Sequence, residues 1–313
     1  PDSAYIATDF RYYEQVGREC PNFTLVKVEK EFTDVLPKLL DEAGVKTVGF
    51  ESFYLTVEEY RKWRKATRKV KWVPCQDIVG EIRSVKTPEE IQAIRKAVAL
   101  ADEAFSHACQ ILRPGMTEKE VAWEIESFMR THGAEKVAFD LIVASGPNGA
   151  LPHARASDKP IREGEPIVID IGCVVEGYCS DLTRTVVLGK PDERFREIYS
   201  IVLKAQEKAE KAIRAGMRAR RADSIARKVI EKAGYGPQFG HGLGHGVGMA
   251  VHEKPRVGKL SKDTLQAGNV ITVEPGIYIS GWGGIRLEDI VVVQEEGVEI
   301  LTKARKGLEF AVL

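Results

Sequence analysis

A short motif recurs in the second half of the chain. Arg113-Pro-Gly-Met116 returns as Arg214-Ala-Gly-Met217, 101 residues later, and at the same offset Ile125 falls on Ala226, Met129 on Ile230 and Gly133 on Gly234. Each copy follows an amphipathic stretch. Before the first, Ile91, Ile94, Val98, Ala101, Phe105 and Ala108 recur at helical spacing and form one apolar stripe. Before the second, Phe195, Ile198, Val202, Ala205, Ala209 and Ile213 do the same. Thr87-Pro-Glu-Glu90 marks the start of the first of these helices, with Thr as N-cap, Pro in the first turn and Glu90 completing a capping box. Thr117 and Glu120 repeat the box before Val121, Ile125, Phe128 and Met129. After each copy the sequence turns β-like. Two helix pairs, each with an apolar face to bury and strands to bury it against, predict an internal duplication with a cleft where the halves meet.

The strands carry acids in unusual places. Ile167–Val175 and Tyr178–Leu188 flank Glu176-Gly177, and Asn269–Ile279 and Ile285–Val293 flank Ser280 to Gly284; both read as hairpins. Asp170 interrupts an apolar run, and Asp181 follows eleven residues later. A turn at 175–176 sets them directly across from each other, and a turn at 176–177 sets them on a diagonal; either register leaves both carboxylates on one face. Glu274, in Ile-Thr-Val-Glu-Pro-Gly, and Glu288, in Gly-Ile-Arg-Leu-Glu-Asp, repeat the pattern. Like charges buried together repel and take up protons unless a cation joins them.

Residues 240–253 place three of the six histidines, His241, His245 and His252, in a glycine-rich loop. They read as one ligand plus acid–base groups, with His153 in Leu-Pro-His-Ala-Arg as a further member; His107 and His132, in helical stretches, read as structural. Oxygen-rich ligation with an imidazole suits Mn²⁺, Co²⁺, Fe²⁺ or Zn²⁺, and the absence of cysteine from the set argues against a structural zinc. Four carboxylates match two divalent ions, which activate water without a serine or cysteine nucleophile. No GxSxG elbow competes.

Residues 1–80 alternate strand-like runs (Tyr5–Thr8, Phe23–Val28, Thr47–Phe50, Val70–Val73) with helical ones near 10–19, 32–43 and 56–67. This reads as a smaller α/β domain over 1–84, ahead of an α+β domain over 85–313. No GxGxxG or Walker loop supports a nucleotide role. The first strand begins almost at Pro1, so this domain is expected to lack its start. Lys plus Arg equals Asp plus Glu at 46 each, without a long run of one sign, which disfavours nucleic acid as a partner. No apolar stretch is long enough to span a bilayer. The five scattered cysteines form no disulfide framework. A cytoplasmic protein is expected.

The order Asp170, Asp181, His245, Glu274, Glu288 resembles the pita-bread metallopeptidases: methionine aminopeptidases, Xaa-Pro aminopeptidases and prolidases. Asp181-Leu-Thr-Arg-Thr185, His241-Gly-Leu-Gly-His-Gly246, Val273-Glu-Pro-Gly276 and Arg286-Leu-Glu-Asp289 are similar to the family's motifs, and residues 1–80 resemble part of the proline-specific members' N-terminal domain. The resemblance implies that Asp170 chelates one metal, Asp181 and Glu288 bridge both, and His245 and Glu274 hold the second. It implies that Glu274 also moves the proton, that His153, His241 and His252 orient substrate and stabilise the tetrahedral intermediate, and that Arg286 steadies the cage. Ala250 stands where relatives carry an acidic or bulkier residue. The expected activity is an Xaa-Pro aminopeptidase acting on peptides with proline second, with Mn²⁺ or Co²⁺ ahead of Zn²⁺ or Fe²⁺, in a homodimer. The alternative is an Xaa-Pro dipeptidase, in which Arg286 or a neighbouring cation seats the substrate carboxylate. A metal-free creatinase-like hydrolase and a non-catalytic binding protein on the same fold are the further alternatives.

Overall fold

The computed structural model describes residues 3–313 and divides into two compact units, residues 1–79 and 80–313. In the first unit β1 (Tyr5–Thr8) and β2 (Thr24–Lys27) pair in parallel, as do β3 (Thr47–Glu51) and β4 (Lys71–Cys75). The crossovers are α1 (Tyr13–Glu19) and α3 (Val57–Ala66), and α2 (Phe32–Glu42) leads from one strand pair to the other. Phe32, Phe50, Tyr60, Trp63 and Trp72 pack ring to ring with centroids 5.0–6.1 Å apart, so aromatic area supplies much of this small interior. In sequence α4 (Ile78–Ser84) links the two units.

The second unit holds two helix pairs, α5 (Pro88–Ile111) with α6 (Glu118–Thr131) and α7 (Glu193–Ala212) with α8 (Ala219–Lys232). Both expected capping boxes form, Thr87 with Glu90 and Thr117 with Glu120. The repeat extends to the backbone. Gly115 donates to Ile161 and Ile161 to Met116; in the second copy Gly216 donates to Leu265 and Leu265 to Met217, all at 2.8–2.9 Å. Each helix pair shares a buried cluster with its own strands: Ala101, Ile125 and Met129 with Ile167 and Ile169, and Val202, Ala226 and Ile230 with Ile271 and Val291.

The first half supplies β5 (Lys136–Val137), β6 (Ile142–Ser145), β7 (Pro166–Ile171), β8 (Cys173–Val175), β9 (Tyr178–Cys179) and β10 (Leu182–Val187). They form sheets ordered β10–β7–β6 and β5–β8–β9. The second half supplies β11 (Gly244–Gly246), β12 (Glu253–Val257), β13 (Val270–Val273), β14 (Gly276–Ile279), β15 (Gly283–Arg286), β16 (Asp289–Val293) and β17 (Val298–Ile300). Here the order is β12–β11–β13–β16–β17, with β14–β15 a separate ribbon.

Each expected long hairpin is interrupted once, and the acids lie at or beside the breaks. In the first, Val175 pairs with Tyr178 and Asp170 with Thr183, so Asp181 lies on the diagonal from Asp170. A β-carbon on Gly172 would meet the Ser180 carbonyl at 2.2 Å, so only glycine lets the strands approach there. In the second, Val273 pairs with Asp289 and Gly276 with Arg286. The same frame sets Glu274 opposite Glu288. Among the described residues no helix is long and apolar enough to cross a membrane.

Candidate metal centre

A cavity of about 480 Å³ is lined by Asp170, Asp181, His245, Glu274 and Glu288 together with His153, His241, His252 and Arg286. All nine expected site residues face one space, although they come from strands and loops spread between residues 153 and 288. His107 and His132 stand apart, each stacked on Phe128.

The electrostatics are those of like charges crowded together away from water. Asp170, Asp181 and Glu288 are buried, and Glu274 is largely so. Desolvation, then the neighbouring carboxylates Glu288, Asp170 and Glu274, pushes the Asp181 pKa well above the ordinary range. Desolvation, then Glu274 and Asp170, does the same to Glu288, and desolvation raises Glu274. Arg286 is the cation among the lining residues that forms an ion pair there, and its Nη2 is committed to Asp170. Thr183 Oγ1 donates to Glu288 at 2.6 Å and Thr272 Oγ1 to Glu274 at 3.1 Å. Asp170 Oδ1 is buried with no hydrogen-bond partner.

His245 sharpens the point. Its Nδ1 lies 3.1 Å from the Gly246 carbonyl, which only accepts, so Nδ1 carries the proton. Desolvation lowers its pKa and keeps the ring neutral. Nε2 therefore presents a lone pair to Glu274 Oε1 at 3.3 Å and to Asp181 Oδ2 at 3.6 Å. Acceptor facing acceptor is unfavourable unless a cation lies between them. Ligand atoms of Asp181, His245 and Glu288 all fall within 4.8 Å of one another, a spacing that one ion satisfies. The orphaned Asp170 oxygen and the unbalanced charge fit further ligation.

The remaining groups are arranged for proton handling. His241 Nδ1 lies 2.7 Å from the Gly242 carbonyl, which fixes that nitrogen as the donor, and desolvation lowers the pKa. Its Nε2 then accepts from Tyr278 Oη at 2.9 Å, and Tyr278 in turn accepts from Arg286 Nη1 at 2.9 Å. The sequence reading did not single out Tyr278; its signal was the alternation that places residues 274 and 278 on one face of the strand. His252 is held down to about 4 by desolvation and by the neighbouring His245 and His153. Arg286 also donates to Thr183 and Pro152. Four of its five N–H groups are thus committed to Asp170, Thr183, Tyr278 and Pro152, which disfavours it as the seat of a substrate carboxylate.

The profile of metallopeptidase family M24 matches residues 92–295, and that of the creatinase/prolidase N-terminal domain matches residues 1–85. The chain belongs to metallopeptidase family M24. This M24 chain is 43% identical over 293 residues to the Xaa-Pro dipeptidase of Pyrococcus furiosus, covering 91% of this chain and 83% of that one. It superposes on the Xaa-Pro dipeptidase from Bacillus anthracis with a TM-score of 0.96 at 41% identity, over 99% of this chain and 87% of the other. It also superposes on the X-Pro aminopeptidase from Thermotoga maritima with a TM-score of 0.92 at 42% identity, over 100% and 88% of the two chains. The M24 chain has the pita-bread fold expected from its sequence, preceded by a creatinase-type domain. It is a metallopeptidase, a family that uses divalent metal ions, and the cavity's donor set fits such ions.

Proposed function

We propose that the protein is an Xaa-Pro dipeptidase that holds two divalent cations through Asp170, Asp181, His245, Glu274 and Glu288. The carrying observation is the buried carboxylate cluster, with an orphaned Asp170 oxygen and a His245 lone pair, at the wall of the cavity. Manganese or cobalt suits this oxygen-rich set best, with zinc or iron as alternatives. When bound, the ions supply Lewis-acid activation of a water and of the scissile carbonyl.

The chain's own residues then handle the protons and the substrate. Glu274, its pKa raised by burial, takes the proton from the attacking water and passes it to the leaving proline nitrogen. His241, neutral and fixed by Gly242 and Tyr278, orients the substrate, and His153 and His252 in the same wall stabilise the tetrahedral intermediate. The Tyr278 hydroxyl spends its proton on His241 Nε2 and accepts from Arg286 Nη1, so it holds the imidazole in place.

The aminopeptidase reading favoured from the sequence becomes the second reading. Relatives from Pyrococcus furiosus and Bacillus anthracis are named Xaa-Pro dipeptidases, which supports the dipeptidase mode; the Thermotoga maritima X-Pro aminopeptidase, at nearly the same structural similarity, keeps the other reading in play. A dipeptidase needs a cation for the substrate's terminal carboxylate. With Arg286 committed, Arg155 in the cavity wall and Arg256, whose charge acts on His252, are the exposed candidates. We place the enzyme in the cytoplasm as a homodimer. The test compares Xaa-Pro with Xaa-Pro-Yaa of the same first residue, with Mn²⁺ or Co²⁺ added. Preferential cleavage of the dipeptide supports the proposal, preferential cleavage of the tripeptide reverses it, and no cleavage of either overturns both readings.

A further inference from the structure

His241 lies in Gly240-His-Gly242, and glycine on both sides gives the backbone wide freedom. A β-carbon on Gly240 would meet nothing within 4 Å, whereas one on Gly242 would meet the Val257 carbonyl at 2.8 Å, so packing fixes this bend on one side only. The remaining restraint comes from α8, outside the cavity. Arg227 is buried, and its guanidinium makes four hydrogen bonds. Two run to the carboxylate of Asp223, both at 2.8 Å, one to the Phe239 carbonyl at 2.8 Å and one to the His241 carbonyl at 2.6 Å. Asp223 completes the clamp by accepting from the Leu243 amide at 3.1 Å. The same guanidinium lies 4.0 Å from the Phe239 ring centre, and that ring meets the His241 imidazole edge-on at 5.1 Å. Backbone on both sides of His241, and one face of its ring, are therefore referred to a single buried ion pair.

We propose that the Asp223–Arg227 pair is the positioning device for His241, setting the imidazole's place in the cavity without touching substrate. An ion pair four residues apart on a helix is ordinarily a surface feature of small value. This one is turned inward and spends its hydrogen bonds on the 239–243 loop. The first helix pair handles the His153 loop in a comparable way. Glu118, fully buried at the start of α6, accepts from the Ser145 and Ser157 amides at 2.7 and 3.1 Å and so brackets the segment carrying His153. Both halves of the duplication thus anchor a histidine loop by a charged group on the second helix of the pair.

The inference rests on the proposed peptidase reading, and its test separates the two. Arg227→Lys keeps the charge beside Asp223 but loses the planar fork that reaches two carbonyls. With an Xaa-Pro substrate and Mn²⁺, this variant is expected to lose about tenfold to a hundredfold in kcat, with KM and bound metal near the parent values. In a His241→Ala background the same substitution is expected to cost nothing further, because the residue through which it acts is gone. Equal losses in both backgrounds, or no loss in the parent background, overturn the proposal. Ring-¹⁵N NMR of the metal-free protein reads the device without turnover. The His241 signal, assigned by its absence from His241→Ala, is expected to shift or broaden in Arg227→Lys while those of His107 and His132 stay in place; an unchanged His241 signal overturns the proposal. Should Arg227→Lys fail to fold, Asp223→Asn, which keeps the shape and removes the charge, takes its place in both measurements. A parent enzyme that cleaves no Xaa-Pro substrate refutes the peptidase reading and leaves the NMR comparison to decide this one.

Discussion

Arg286→Met removes the cation that balances the carboxylate cage and keeps much of the side-chain volume. Arg286 is 4% exposed, pairs with Asp170, and donates to Thr183, Pro152 and Tyr278. At contact distance and an effective dielectric near 20, the pair's attraction is about 5 kcal/mol. Breaking a buried pair of this kind costs about 3–5 kcal/mol, because the surviving charge is left uncompensated. In metal-free protein at pH 8 that loss corresponds to a melting temperature lower by roughly 6–10 °C. With the ions bound, Asp170 has other positive charge to face, and only the neutral hydrogen bonds are lost, about 1–2 kcal/mol. The expected signature is therefore a large shift in metal-free protein and a small one in metal-loaded protein, measured by calorimetry on both forms. Equal shifts in the two forms would show that Arg286 is an ordinary packing residue and that the cage charge is not what it balances.

Asp181→Ala should abolish both turnover and full metal loading, read by elemental analysis; retained activity would refute its place between the two ions. His252→Ala should lower kcat by about tenfold to a hundredfold while bound metal stays at the parent level. Arg155→Ala and Arg256→Ala should raise KM for an Xaa-Pro dipeptide several-fold and leave its C-terminal amide unaffected, with equal effects on both substrates arguing against carboxylate binding. The metal-free protein should lose stability as pH rises above the ordinary carboxylate range. Burial raises the folded pKa values of Asp181 and Glu288. Their favourable contribution is thus fully present below the ordinary carboxylate range and lost as pH rises through the raised values. The metal-loaded form should show the opposite trend in acid, because protons displace the ions.

Much of the fold was legible because period and capping carry it. The stripe from Ile91 to Ala108 and the Thr87–Glu90 box specify α5, and its helix runs from Pro88 to Ile111. The acids were legible because Asp170 and Glu288 interrupt runs otherwise suited to burial. Register was not: both placements of the first turn left Asp170 and Asp181 on one face, and the close approach at Gly172 goes with the diagonal one. Arg286 read as the arginine that steadies the cage, and it pairs with Asp170; what the sequence left open was whether it also seats a substrate carboxylate. Tyr278 was not legible, since its meaning lies in its contacts with His241, 37 residues away, and with Arg286 across the β14–β15 ribbon. Asp223 and Arg227 were not legible either, because only the path of the 239–243 loop turns this i, i+4 pair into a clamp.

Five side chains gathering two cations carry the proposed chemistry. Anomalous diffraction from crystals of the manganese-loaded protein reads this directly. Two peaks bounded by Asp170, Asp181, His245, Glu274 and Glu288 are the predicted result. A map with no peak among them, or with manganese only elsewhere on the chain, would contradict it.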